Sequence, residues 1–150
     1  MLNLGSNFLQ NIKNFIFPFY KNTELKYIFK KLQEGYPKEK VTARFVGGCV
    51  RNYLSGNNIE DIDIATILTV DEMKKRFQDT KVKIIETGTK HGTITILSKS
   101  HKVEITTLRK DLKTDGRHAE VEYIDNWTLD SERRDFTINA IYLDINGKIF

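Results

Sequence analysis

An α+β domain, with helices set against a small sheet, is the fold this sequence predicts, and three features predict it. Apolar residues recur at helical spacing near the amino terminus, three consecutive apolar runs follow in the middle, and between them a strand runs into a glycine corner and a helix. At 150 residues, 39% hydrophobic and 29% charged, the chain is long enough for one domain with a modest core.

Taken in chain order, the apolar patch FIFPFY (Phe15 to Tyr20) is too short to span a bilayer and is broken by Pro18. It lacks the charged start and small-residue cleavage site of a secretory signal, so it predicts a packing arm. An organellar transit peptide is disfavoured because no Arg precedes Arg44, although Lys13 and Lys21 supply positive charge. Thr23 is placed to cap a helix whose Leu25, Ile28, Phe29 and Leu32 form one buried stripe, and Gly35 with Pro37 stops it. ARFV (Ala43 to Val46) predicts a strand that enters Gly47 and Gly48, and CVRNYLSG then has the length of a two-turn helix ended by Gly56. DIDIAT is a second short strand. Thr69 and Glu72 make a capping box for a helix through Phe77, with Met73 and Phe77 on its inner face.

The runs VKII, TITIL and VEITTL predict consecutive strands joined by hairpin-like turns. From Lys110 to Ala119 the chain is polar and carries Gly116, which predicts a mobile loop. In SERRDFTINAIYLD, Ser131 is a candidate cap for a short helical turn ahead of an apolar strand AIYL. No internal repeat, low-complexity tract or heptad pattern is found.

The formal charge of +4 and a pI of about 9.1 suit a phosphate-bearing partner but also many ordinary proteins. The distribution is more telling. Lys outnumbers Arg 17 to 7, yet Arg51, Arg109, Arg117, Arg133 and Arg134 all fall in the motif segments below, where a planar bidentate donor suits phosphate. A single cysteine, Cys49, excludes an internal disulfide and a cysteine-rich zinc site, so a reducing compartment, the cytoplasm, is the expected location.

In a strand, residues two apart share a face, so Asp61 and Asp63 project together while Ile62 and Ile64 point to the core. Paired carboxylates are costly without a cation, and hard divalent ions such as Mg²⁺ take oxygen ligands; a solvated strand end is the ordinary reading of a lone D-x-D. At a strand-to-helix corner, Gly47 and Gly48 let backbone amides approach a phosphate, with the helix dipole aimed at it, and Arg51 lies one turn in, facing the same corner. A plain turn is the bland alternative. Glu104 sits in an otherwise apolar strand, where an isolated buried carboxylate needs a partner, such as a metal, unless the position is a solvent-facing edge. Arg133, Arg134 and Asp135 form a row suited to triphosphate and ribose hydroxyl, or else a surface salt-bridge patch.

GGCVRNYLSGNNIEDIDIAT, ETGTKHGTITI, VEITTLR, DGR and RRDFTINAI, in that order, resemble the amino-terminal head domain of bacterial-type (class II) CCA-adding tRNA nucleotidyltransferases, the group that also contains bacterial poly(A) polymerases. The likeness covers about Ala43 to Asp144. It implies a nucleotidyltransferase head of the polymerase-beta type, a mixed sheet flanked by helices, over 41–150, with a helical arm over 1–40 and without the helical neck, body and tail domains of the family. It further implies that Asp61, Asp63 and Glu104 hold catalytic Mg²⁺. Gly48, Arg51, Arg133 and Arg134 would contact the incoming CTP or ATP, with Asp135 near its ribose. The expected reaction extends the 3′ end of tRNA with release of pyrophosphate and no covalent protein intermediate. His91, His101 and His118 are then structural or solvent-exposed.

One position departs from the pattern: Asn52 stands where the family commonly has an aspartate, which removes a charge that would orient Arg51. ETGTKHGTITI reads more like the CCA-adding members than the poly(A) polymerases. The expectation is therefore an incomplete CCA-adding head, with a poly(A) polymerase head, a non-catalytic nucleotide-binding fragment and a minimal stand-alone nucleotidyltransferase as alternatives. Expected partners are CTP, ATP, the tRNA 3′ end and a separate chain carrying the helical domains; no membrane partner is expected.

Overall fold

A computed structural model describes residues 4–112 and 120–150. Helix α1 spans Leu4–Ile16 and helix α2 spans Thr23–Gln33. The cap of α2 is Asn22 rather than Thr23: the Asn22 side-chain oxygen accepts the backbone N–H groups of Glu24 at 2.8 Å and Leu25 at 3.3 Å. Asn22 leaves the preceding 3-10 turn, Phe19–Lys21, in an extended conformation, so Thr23 is already the first helical residue. The expected apolar arm packs only in its second half. Phe19 meets Phe45 and Tyr53 edge-on, with ring centroids 4.9 and 5.5 Å apart, while Phe15 and Phe17 remain exposed.

Strand β1 (Ala43–Val46) leads into helix α3 (Gly48–Leu54), followed by β2 (Asp61–Thr66) and α4 (Val70–Phe77), whose Thr69–Glu72 capping box is fully formed. Strands β3 (Lys83–Gly88), β4 (Thr93–Leu97) and β5 (Lys102–Thr107) come next. Short strands β6 (Arg109–Asp111) and β7 (Val121–Tyr123) pair with each other, and helix α5 (Trp127–Glu132) precedes β8 (Tyr142–Leu143). The main sheet has the order β3-β4-β5-β2-β1-β8. Its β2–β5 pair is parallel and its other pairs antiparallel, so the sheet is mixed, as the resemblance implied.

Strand alternation gives the sheet two unlike faces. On one, Phe45, Ile62, Ile64, Ile94, Ile96, Val103 and Ile105 pack under Leu25, Ile28 and Leu32 of α2 and Met73 and Phe77 of α4. Each such fully buried side chain contributes roughly 1.5–3 kcal/mol of burial, so this face carries most of the hydrophobic stabilisation. The other face holds a small cluster, Val46, Ala65, Leu108 and Tyr142 beside Trp127, and the polar residues of the site.

Two expectations in the last third change. Lys110 and Asp111 belong to β6 rather than to a loop, because their strand finds a partner in β7, with Lys110 bridged to Glu122 at 2.8 Å. Lys113 to Ala119, which include Asp115, Gly116, Arg117 and His118, lie outside the described residues. Ser131 is inside α5, whose cap is Asn126, accepting the Leu129 N–H at 3.0 Å. The helix begins early because Trp127 packs edge-on against Tyr142. A separate 3-10 turn, Thr137–Asn139, follows, and the strand after it is only two residues long. Among the described residues no helix is long and apolar enough to cross a membrane.

Candidate active site

The acidic part of the site follows from strand periodicity. Asp61 and Asp63 share the polar face of β2, opposite the buried Ile62 and Ile64, and parallel pairing sets Glu104 of β5 directly beside Asp63. Burial, then the charges of Glu104 and Asp61, push the Asp63 carboxyl above its ordinary value. Glu104 is not the edge residue of one sequence alternative, and it does have the kind of charged partner that the other calls for. Its strand is interior to the sheet, not an edge, and its side chain is partly exposed and ion-paired with Lys102 at 2.6 Å. Lys102 is two residues away on the same face. Among the described residues, no three His, Cys, Asp or Glu side chains are gathered closely enough to hold a metal ion. The three acids are thus in register but not drawn together.

The glycine corner abuts these acids. Gly47 has φ +73° and ψ −139°, and a Cβ placed on it would lie 3.4 Å from Asp63 Oδ2. The conformation calls for glycine, whereas the carboxylate would sit at ordinary contact distance from a side chain there. Arg51, one turn along α3, donates from Nη1 to Asn139 Oδ1 at 3.1 Å and from Nε to Asn52 Oδ1 at 3.3 Å. The uncharged Asn52 therefore still supplies an acceptor to Arg51, and Asn139 brings the RRDFTINA segment to the same guanidinium. A cavity of about 400 Å³ is lined by Gly48, Arg51, Asn52, Glu60, Asp61 and Asp63. Cys49 is buried beneath it, its thiol pushed up to about 11 by burial, which keeps it protonated and unreactive at neutral pH.

On the other side of Asp63 lies a basic cavity of about 300 Å³, lined by Asp63, His91, Thr93, Arg109, Arg133 and Arg134 among others. Its anchor is Asp130, which the sequence reading missed. This carboxylate is 1% exposed. Its Oδ1 accepts Arg133 Nε at 3.0 Å and the Arg109 backbone N–H at 3.1 Å, and its Oδ2 accepts Arg134 Nη2 at 3.1 Å and the Tyr142 hydroxyl at 2.6 Å. Burial opposes its charge, but the hydrogen bonds from Tyr142 and Arg109 and the charges of Arg134 and Arg133 outweigh that, and its pKa falls below the ordinary value. The spacing that could have revealed it is an acid three and four residues before two arginines on a helix. Arg133 and Arg134 are thus salt-bridged, as one sequence alternative had it, but half-buried and to the buried Asp130. Asp135 is exposed, and among the described residues it lines neither cavity.

The turn before β4 closes this cavity. Arg109 Nη1 donates to the His91 carbonyl at 2.5 Å, and the His91 side chain is exposed, as expected. Gly92 has φ +76°, and a Cβ there would come within 2.6 Å of the Tyr123 ring of β7. His101 sits in the β4–β5 turn, where its carbonyl accepts the Ser98 hydroxyl at 3.0 Å.

Comparison with known proteins places the fold. The profile of the Poly A polymerase head domain matches residues 43–150. The chain is 48% identical over 120 residues to the mitochondrial CCA tRNA nucleotidyltransferase 1 of Danio rerio, covering 79% of this chain and 28% of that protein. It is 43% identical over 127 residues to the CCA-adding enzyme of Staphylococcus saprophyticus, covering 83% and 30%. The crystal structure of the Bacillus stearothermophilus CCA-adding enzyme in complex with CTP is similar, with TM-score 0.65 and 38% identity over 83% of this chain and 28% of that one. The chain therefore spans under a third of the length of each of these proteins.

Proposed function

The chain belongs to the Poly A polymerase head domain family, and we propose that it is the nucleotidyl-transferring head of a CCA-adding enzyme, using CTP and ATP to extend the 3′ end of tRNA with release of pyrophosphate. The observation that carries this reading is the meeting of Gly47 with Asp63: a phosphate-accessible corner opens directly onto paired carboxylates. Relatives named as CCA-adding enzymes, one of them solved with CTP, support the choice of substrates.

The donor chemistry fits a divalent cation. Asp61, Asp63 and Glu104 are hard oxygen ligands on one sheet face, and the Asp63 pKa is raised by burial first and then by the charges of Glu104 and Asp61, which a cation would offset. These residues would hold Mg²⁺, whose charge would favour ionisation of the attacking 3′-hydroxyl and offset the charge of the departing pyrophosphate. To join them, Glu104 must part from Lys102. The chain's own groups do the rest. The Gly47 and Gly48 backbone and Arg51, oriented by Asn52 and Asn139, bind the triphosphate; Arg133 and Arg134 neutralise it further; Asp135 is assigned to the ribose. No covalent enzyme intermediate is needed, in keeping with the protonated thiol of Cys49.

We assign 1–40 to a helical arm and 41–150 to the head, a division supported by the start of the family match at residue 43. A cytoplasmic location is part of the same reading, although relatives include a protein named as mitochondrial. Base selection and the grip on tRNA are assigned to further domains, in this protein or in a second chain.

The test is a chimera in which this chain replaces the head of the Bacillus stearothermophilus enzyme. With a tRNA lacking its CCA end, the chimera is expected to add C, C and A, and the same chimera with Asp61→Asn is expected to add nothing. Addition of A alone to any RNA 3′ end would favour the poly(A) polymerase reading. A folded chimera that binds CTP but transfers nothing would favour a non-catalytic nucleotide-binding module.

A further inference from the structure

We infer that Arg109 is a third phosphate-contacting guanidinium of the basic cavity, completing with Arg133 and Arg134 a seat whose geometry Asp130 sets. The inference rests on the functional reading only in taking Asp63, which the seat adjoins, as the reacting centre.

Three cations converge there; of the two acids beside them, Asp130 is used up and Asp63 is the reacting centre. Both Asp130 oxygens already accept two bonds each, and from Arg109 they receive only the backbone N–H. The Arg109 side chain has no carboxylate in its hydrogen bonds; its Nη1 goes to the neutral His91 carbonyl. Its Nε, and that of Arg134, are buried without a hydrogen-bond partner. Both arginines line the cavity, and a buried charged donor without an acceptor is costly, so their guanidinium groups gain from an anion brought against their cavity-facing side. Burial, and next the Arg133 charge, lower the Arg109 pKa, as expected of like charges held together.

The acceptor that suits these groups is a phosphate oxyanion, which guanidinium recognises through paired N–H bonds. The cavity, about 300 Å³, accommodates a phosphate group and part of its ester rather than a whole nucleotide. That phosphate belongs either to the incoming nucleotide or to the terminal phosphodiester of the RNA. Arg109 is fixed before either arrives, because its strand β6 is pinned to β7, its amide to Asp130 and its side chain to the turn before β4.

The test titrates the full 150-residue chain by calorimetry, without divalent ions, against two probes: tripolyphosphate, which has neither base nor ribose, and a short RNA ending in a 3′-hydroxyl. Arg109→Gln is expected to weaken one probe or both by about tenfold with an unchanged melting temperature. Arg109→Lys is expected to recover only part of the loss, since an ammonium lacks the fork. Loss confined to tripolyphosphate identifies the nucleotide as the source, and loss confined to RNA identifies the primer; either supports the seat. Unchanged affinity for both probes overturns it. If Arg109→Gln does not fold, the ¹⁵Nε resonance of Arg109 in the unaltered chain decides: a shift on adding either probe supports the seat, and none with both refutes it. Phosphate binding by a chain whose chimera transfers no nucleotide would leave the seat standing and overturn the functional proposal alone.

Discussion

Asp63 and Asp130 are two aspartates of one site, and their surroundings are opposite. Asp63 lies beside Asp61 and Glu104, and burial with these like charges raises its pKa; Asp130 is deeper, yet four donors hold its pKa down. The arginine half of the site is therefore built in advance, Arg133 and Arg134 being held by Asp130 while the Arg109 side chain keeps no carboxylate partner. The acidic half sets Asp61 and Glu104 beside a half-buried Asp63, with Lys102 engaged by Glu104, and a cation bound there would offset the repulsion that Asp63 meets.

The comparison can be broken first at activity. In the chimera, Asp63→Asn is expected to lower nucleotide addition by about 10³-fold or more, roughly 4 kcal/mol, while urea denaturation shows stability within about 0.5 kcal/mol or slightly raised. Asp61→Asn should act alike, and Glu104→Gln in the same direction but less. A large stability loss in Asp63→Asn would mean that the acid cluster is satisfied after all. Asp130→Ala is the counterpart: it strips a buried partner from two arginines and is expected to cost about 3–5 kcal/mol of stability by the same denaturation experiment.

Smaller effects sharpen the picture. Gly47→Ala forces a side chain into a conformation that L residues avoid, for about 1–3 kcal/mol, measured as a shift in the urea midpoint. Replacing Arg51, Arg133 or Arg134 by Ala should weaken CTP and ATP by similar factors, on the order of tenfold, because phosphate contacts carry no base information. Loss of only one nucleotide in equilibrium binding would make that arginine a base reader. Asn52→Ala should do least, a few tenths of a kcal/mol in CTP binding, since Asn139 still holds Arg51.

What the sequence showed and what it hid divides along sequence distance. The stripe Leu25, Ile28, Phe29 and Leu32, the Thr69–Glu72 box and the shared face of Asp61 and Asp63 were legible because each is decided within a few residues. The cap at Asn22 was missed by one position because the backbone leaving the Phe19–Lys21 turn, not the residue type, chose between two polar neighbours. Strand β6 was read as loop because its pairing depends on β7, across a polar segment with no strand pattern of its own. Asp130 shows both sides: its spacing to Arg133 and Arg134 was visible, but its burial depends on Tyr142 and Arg109, which only the fold brings in. Glu104 was seen as an acid needing a partner, and the partner in the structure is Lys102, two residues away.

The contrast between the two aspartates is tested most directly by following their side-chain carboxyl ¹³C resonances through a pH titration, with and without Mg²⁺. The sign of each effect is set by its pKa shift. Asp130, depressed in the folded state, lends stability above about pH 4 that is lost as the pH falls through its folded pKa; Asp63, raised, weakens the fold at neutral pH and stops doing so as it takes up its proton on acidification. The account predicts that Asp63 titrates above the ordinary aspartate value and Asp130 below it, and that adding Mg²⁺ lowers the Asp63 midpoint while leaving Asp130 in place. Ordinary midpoints for both, or an Asp63 midpoint indifferent to Mg²⁺, would contradict it.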